Sequence, residues 1–265
     1  MPFALKGRTM AITGAANIPM SPIVRVALEN GMNVALLSAF HSRAQKAIEE
    51  TVPDKFRGQI IGFAQNPQAR LEQNMKEAPE LYAPETTQAD VLRWICEKFG
   101  GIDVVVNGSG SAERCDMYAT DKDLWHHSAE TPEASFFNSM YAMEYLEKSP
   151  APRIINIISD DGFGGFFNNP SFAASRGGVV SLTREMAREL GPKGITVNTV
   201  VHSYIEKKNA PPLTEQERTA LISATPLGRL CTFEDLAGIV CFLATDEASY
   251  ITGACINVTG GSVLE

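Results

Sequence analysis

Short runs of branched aliphatic residues alternate with longer amphipathic stretches along most of the chain. Thr9-Met10-Ala11-Ile12-Thr13 reads as a short buried strand, and Ser21-Pro22 opens a helix, with Ser as N-cap and Pro in the first turn. Asn33 to Ser38 is a second strand, Ser42 to Thr51 a helix and Gln59 to Phe63 a third strand. Ala89 to Phe99 reads as a helix, Ile102 to Asn107 as a fourth strand, and Glu133 to Glu147 as a long helix with Pro132 just before it. Arg153 to Ser159 is apolar on both faces, as in a parallel sheet covered by helices on both sides. A helix opened by Ser171 and ending near Leu190, a strand over Ile195 to Val201, a helix over Glu234 to Thr245 and a last strand near Ala254 to Val258 complete the series. This alternation predicts an α/β fold: one Rossmann-like domain over residues 1–265, a doubly wound parallel sheet with helices on both faces. Ligands in such folds bind at the strand C-termini.

Two stretches break the rhythm. Residues 66–87 are polar, carry Pro67, Pro79 and Pro84, and exceed the usual connection length. They are expected to form a surface insertion, with a partner-contact element as the alternative. Residues 203–230 are expected to be a flexible substrate-loop region over the pocket.

With 265 residues, one sizeable core is expected. The net charge of −8 argues against nucleic acid and anionic membranes as partners. No apolar run reaches the roughly 18 residues of a membrane span, and Met1 to Lys6 shows no signal-peptide pattern. The five cysteines are scattered without a C-x-x-C pair, which fits a reduced, cytoplasmic setting. No metal-ligand spacing is found.

The chemistry-bearing motifs lie at the strand ends. Ser159 closes its strand, and Phe172 and Arg176 open the following helix four residues apart. Gly101 to Gly110 holds a strand ending in Asn107-Gly108. Gly194 to Asn198, Pro226 to Arg229, Ile251-Thr252-Gly253 and Gly260-Gly261 follow in order. Over nearly the whole chain this series resembles the short-chain dehydrogenase/reductase family. In that family a strand ends in a Ser and a Tyr-x-x-x-Lys pair opens the next helix. Here Ser159 keeps the Ser, while Phe172 and Arg176 stand at the Tyr and Lys positions.

Further departures cluster at the cofactor positions that the resemblance implies. Thr13 and Gly14 match the phosphate turn, but its later glycines fall on Ile18 and Met20, where bulk would oppose a close pyrophosphate. Pro19 and Pro22 also remove amide donors there. Ser38 stands where NAD-preferring members carry an acid, Arg43 is the nearby base, and Asn107 and Gly108 line the same edge. The family's Pro-Gly falls on His202-Ser203, and His202 has the near-neutral chemistry of an acid/base group. Its helix Asn falls near Pro132. Asp160 and Asp161 add acids at the mouth. A phenyl ring has no proton to give, and Arg176 holds its proton under ordinary conditions.

Ser159, Phe172, Arg176 and His202 are therefore the candidate catalytic set. Thr13, Gly14, Ile18, Ser38, Asn107 and Gly108 are the candidate cofactor set. The cofactor is left unassigned, with NAD(P) as one possibility. The departures predict a non-catalytic pseudoenzyme subunit of a hetero-oligomeric dehydrogenase, resembling that of the benzylsuccinate-pathway enzyme and paired with a homologous subunit. The alternative partner is the chain itself, in a dimer or tetramer. Whether the chain is an enzyme stays open at this point, and if active it is expected to be an oxidoreductase with an altered catalytic set. One such reading uses a proton donor such as His202, Tyr204 or Tyr141 and acts on a carbonyl, hydroxyl or CoA-thioester substrate. Another is a cofactor-free enzyme resembling haloalcohol dehalogenases. No motif identifies the substrate.

Overall fold

The computed structural model describes residues 4–14, 21–108, 115–160, 169–206 and 212–264. Seven strands form one all-parallel sheet: β1 (Thr9–Thr13), β2 (Asn33–Ser38), β3 (Ile60–Ala64), β4 (Val104–Asn107), β5 (Arg153–Ser159), β6 (Thr196–His202) and β7 (Cys255–Val258). Their order is β3-β2-β1-β4-β5-β6-β7. The expected Rossmann-like single domain is therefore present. The winding reverses between β1 and β4, where Thr13 is in register with Asn107, and this places a crevice at that edge.

Every residue of β1 and β6 is buried, because helices cover both faces. Met10, Ile12, Leu36, Val106, Ile155 and Val200 point to one side and pack with α1 (Ser21–Glu29) and with Phe233–Leu243. Ala11, Leu37, Val105, Ile154 and Val197 point to the other and pack with residues of Gln88–Phe99, Lys122–Leu146 and Pro170–Leu190. Adjacent strand residues feeding opposite layers explain the unbroken aliphatic runs.

Three helices differ from the sequence expectation. α2 (His41–Thr51) has Phe40 at its N-cap, which offers no side-chain acceptor. Its first amides are satisfied from 66–87 instead, where α3 (Leu71–Glu77) follows a 3-10 turn at Pro67–Arg70. The His41 N–H donates to Asn74 Oδ1 at 3.1 Å and the Ser42 N–H to Glu77 Oε2 at 2.9 Å. The insertion thus serves as the missing cap. α4 (Gln88–Phe99) carries its own Thr87/Asp90 capping box.

α5 (Lys122–Leu146) begins well before Glu133 and runs through Pro132. Asp121 caps it by accepting from the Leu124 N–H at 2.9 Å. Where α5 meets α6 (Pro170–Leu190), Gly178 faces the Pro132 ring, and a Cβ there would lie 3.8 Å from it, in ordinary van der Waals contact. Within 203–230, α7 (Glu215–Ala224) forms with a Thr214/Glu217 capping box. α8 (Phe233–Leu243) has the Thr232/Asp235 box. Among the described residues, no helix is long and apolar enough to cross a membrane.

Candidate active site at the C-terminal edge of the sheet

β1 ends at Thr13, and Gly14 leaves it with φ +69°, a left-handed turn suited to glycine. The Gly108 N–H donates to the Thr13 carbonyl at 3.2 Å, joining the ends of β1 and β4. The Gly14 N–H donates to Gln65 Oε1 at 3.2 Å. Ile18 and Met20, whose bulk argued against a cofactor, lie outside the described residues, as does Asp161.

At the end of β2, Ser38 is 1% exposed, and its hydroxyl has no partner among the described residues. Beyond it, the Arg43 guanidinium lies 4.7 Å from the Phe40 ring centroid and Arg70, from the insertion, lies 6.0 Å from the same ring. Two exposed guanidiniums sharing the Phe40 ring just beyond the end of β2 make a positive surface there that fits a phosphate group. The fold and this edge support nicotinamide dinucleotide binding.

Asn107 faces inward. Its Nδ2 donates to Asn156 Oδ1 at 2.9 Å and to Ser139 Oγ at 3.2 Å, while its Oδ1 accepts from Asn138 Nδ2 at 3.2 Å. Asn156 Nδ2 donates to Thr183 Oγ1 at 2.8 Å, and Thr183 shares a 2.8 Å contact with Thr199. Asn138 Oδ1 also accepts from Gln65 Nε2 at 3.3 Å and Gln88 Nε2 at 2.7 Å. Sequence reasoning missed Gln65, Gln88, Asn138, Thr183 and Thr199. The one available signal was Asn156 inside an otherwise aliphatic buried strand, a polar group that must find partners.

Ser159 and His202 are register partners at the ends of β5 and β6, and the Asp160 N–H donates to the His202 carbonyl at 2.8 Å. His202 Nδ1 donates to the Ser203 carbonyl at 2.7 Å, which fixes the proton on Nδ1 when the ring is neutral. Asp160 is 3% exposed and accepts from Ser262 Oγ at 3.1 Å. A shallow cleft open to solvent is lined by Asp160, Ser203, Tyr204, Leu221, Thr225 and Leu230, among others. Cys231 lies close by, but burial pushes its thiol up to about 11, so it is no thiolate nucleophile.

On α6, the Arg176 guanidinium sits 3.9 Å over the Phe172 ring centroid, and Arg176 is only 3% exposed. The two are one helical turn apart and so share a face. The ring supplies a cation–π contact to the buried charge. Tyr141 lies elsewhere, stacked on Phe137 at 6.2 Å and 42% exposed.

The family model described as enoyl-(acyl carrier protein) reductase matches residues 83–262. The 3-oxoacyl-(acyl-carrier-protein) reductase FabG of Vibrio cholerae is 32% identical, covering 98% of this chain and 99% of its own. FabG of Vibrio harveyi is 30% identical over the same shares. A short-chain dehydrogenase/reductase from Brucella melitensis, described as a glucose/ribitol dehydrogenase, superposes with a TM-score of 0.83 at 24% identity. It covers 100% of both chains and speaks for the fold.

These matches overturn a linked set of expectations: the degenerate subunit resembling the benzylsuccinate-pathway protein, the pseudoenzyme, the cofactor-free dehalogenase, and the open question of an enzyme with an altered catalytic set. Phe172 and Arg176 depart from the family pattern inside the region that the family model matches, so these two departures alone do not mark a lost activity. The matched region spans Ser159, Phe172, Arg176 and His202, and the relatives matched from end to end are reductases. The chain belongs to the short-chain dehydrogenase/reductase family.

Proposed function

We propose that the protein is an oxidoreductase that interconverts a carbonyl and a hydroxyl group with a nicotinamide dinucleotide, in the cleft at the ends of β5 and β6. The observation that carries this is Ser159 paired in register with His202 beside a cleft lined by Asp160, Ser203 and Tyr204. The bound dinucleotide supplies or accepts the hydride. The Ser159 hydroxyl orients the carbonyl oxygen. His202, with Nδ1 committed to the Ser203 carbonyl, fixes the turn after β6 that floors the cleft. Arg176, buried on α6 over the Phe172 ring, is proposed to provide fixed positive charge for the cofactor's polar groups. Tyr204 lines the same cleft.

The adenosine end is proposed to favour NADP(H). No carboxylate stands at the end of β2 to bind a free ribose 2′-hydroxyl, and Arg43 and Arg70 flank Phe40 there. The assembly is proposed to be a dimer or tetramer of this chain.

Calorimetric titration tests the reading. NADPH is expected to bind at least about tenfold more tightly than NADH, as a charge-assisted phosphate contact would give. Equal or tighter NADH binding removes the phosphate assignment. Failure of both to bind at millimolar concentration removes the oxidoreductase reading.

A further inference from the structure

Gly14 is the first residue beyond β1, and its backbone N–H emerges where a dinucleotide's pyrophosphate turn begins. A buried or half-buried N–H at such a point needs a defined acceptor. The acceptor is the side chain of Gln65, at 3.2 Å, and Gln65 comes from the other side of β2. Gln65 is itself pinned, because its own N–H donates to the Ser38 carbonyl at 2.5 Å. Its Nε2 donates to Asn138 Oδ1 at 3.3 Å, and Asn138 is 4% exposed.

The amides form a directional chain. Asn138 accepts at Oδ1 from Gln65 and Gln88 and donates from Nδ2 to Asn107, which donates in turn to Asn156. Reversing Gln65 would set its Nε2 against the Gly14 N–H and its Oε1 against Asn138 Oδ1, donor on donor and acceptor on acceptor. The buried network therefore holds the Gln65 carbonyl oxygen on Gly14.

From this we infer that Gln65 is a positioning residue for the cofactor's pyrophosphate turn, fixing the backbone at Gly14 and tying it through Asn138 to α5. The inference rests on the cofactor reading above. Gln65 stands at the border of the insertion, so the same segment that caps α2 would also set the entry to the phosphate turn.

The test separates positioning from plain stability. Binding of NADPH is measured by calorimetry, and melting temperature by calorimetric scan of the cofactor-free protein. Gln65→Leu is expected to raise the NADPH dissociation constant by roughly tenfold, about the effect of one hydrogen bond to a positioned group. Gln88→Leu breaks the other donor to Asn138 without touching Gly14, and is expected to lower the melting temperature while leaving the dissociation constant unchanged. The inference is overturned if Gln65→Leu leaves NADPH binding unchanged, or if Gln65→Leu and Gln88→Leu weaken it equally. If the unsubstituted protein binds neither NADPH nor NADH, the cofactor reading falls and takes this inference with it, an outcome distinct from weakening confined to one variant.

Discussion

Phe172 and Arg176 look like losses when each is set against a family pattern alone, and look like a pair once their geometry is known. The guanidinium lies on the ring face 3.9 Å from its centroid, and the charge is buried. Neither side chain can release a proton at working pH. Tyr204 is the phenol that lines the cleft. Tyr204→Phe tests that hydroxyl as a proton donor, since losing a general acid usually lowers kcat by about 10²–10⁴-fold. Its NADPH dissociation constant should not move. Steady-state kinetics on an accepted carbonyl substrate, paired with calorimetry, checks both numbers. A fall in kcat of less than about threefold would show that the proton travels by another route. Ser159 and His202 were legible in the sequence because strand ends are fixed by aliphatic runs. Gln65 and Asn138 were not, because their partners lie 51 and 31 residues away, on Gly14 and Asn107.

The elements show the same division. The strands and most helices follow from periodicity, with end shifts of one or two residues, such as Ile60–Ala64 against an expected Gln59 to Phe63. Local pattern failed where tertiary contacts decide. Pro132 stops a helix in isolation, yet α5 continues through it. The polar insertion reads as surface, yet it buries Tyr82 at 2% exposure. The Tyr82 hydroxyl accepts from the Ala64 N–H at 2.9 Å and contacts His41 Nδ1 at 3.2 Å, and its ring meets Trp94 edge-on at 5.8 Å. Burial pushes its phenol up to about 12, so it stays neutral across the working pH range. Tyr82→Phe keeps the ring packing but leaves a buried strand N–H without an acceptor. This is expected to cost about 1–3 kcal/mol, read as a lower urea midpoint at unchanged slope. A change below about 0.5 kcal/mol would mean that the insertion is held by ring packing alone.

For the molecule as a whole, the layered core leaves one helix face uncovered. The inner side of α5 buries Ser135, Asn138, Ser139, Ala142 and Leu146 against the sheet and its polar network. Its outer side exposes Phe136, Phe137, Met140 and Tyr141, each at about two-fifths. Phe136 and Phe137 meet edge-on at 5.3 Å, and Phe137 stacks on Tyr141. Scattered exposed hydrophobics are ordinary, but four large ones contiguous on one helix mark an interaction surface. A two-fold contact would set the same stripe against itself, burying aromatic rings on aromatic rings. A copy of this chain is the expected occupant, since the patch is self-complementary in chemistry and nearly free of charge. Sedimentation velocity at micromolar concentration is expected to give a dimer or tetramer. Phe137→Glu would place a carboxylate in the centre of that apolar contact, where an unpaired buried charge is strongly disfavoured. It should shift the species to lower mass while the far-ultraviolet circular dichroism and the melting temperature of the monomer fold stay close to those of the unsubstituted chain. A monomer before substitution would remove the self-assembly reading. An oligomer indifferent to Phe137→Glu would move the interface off α5.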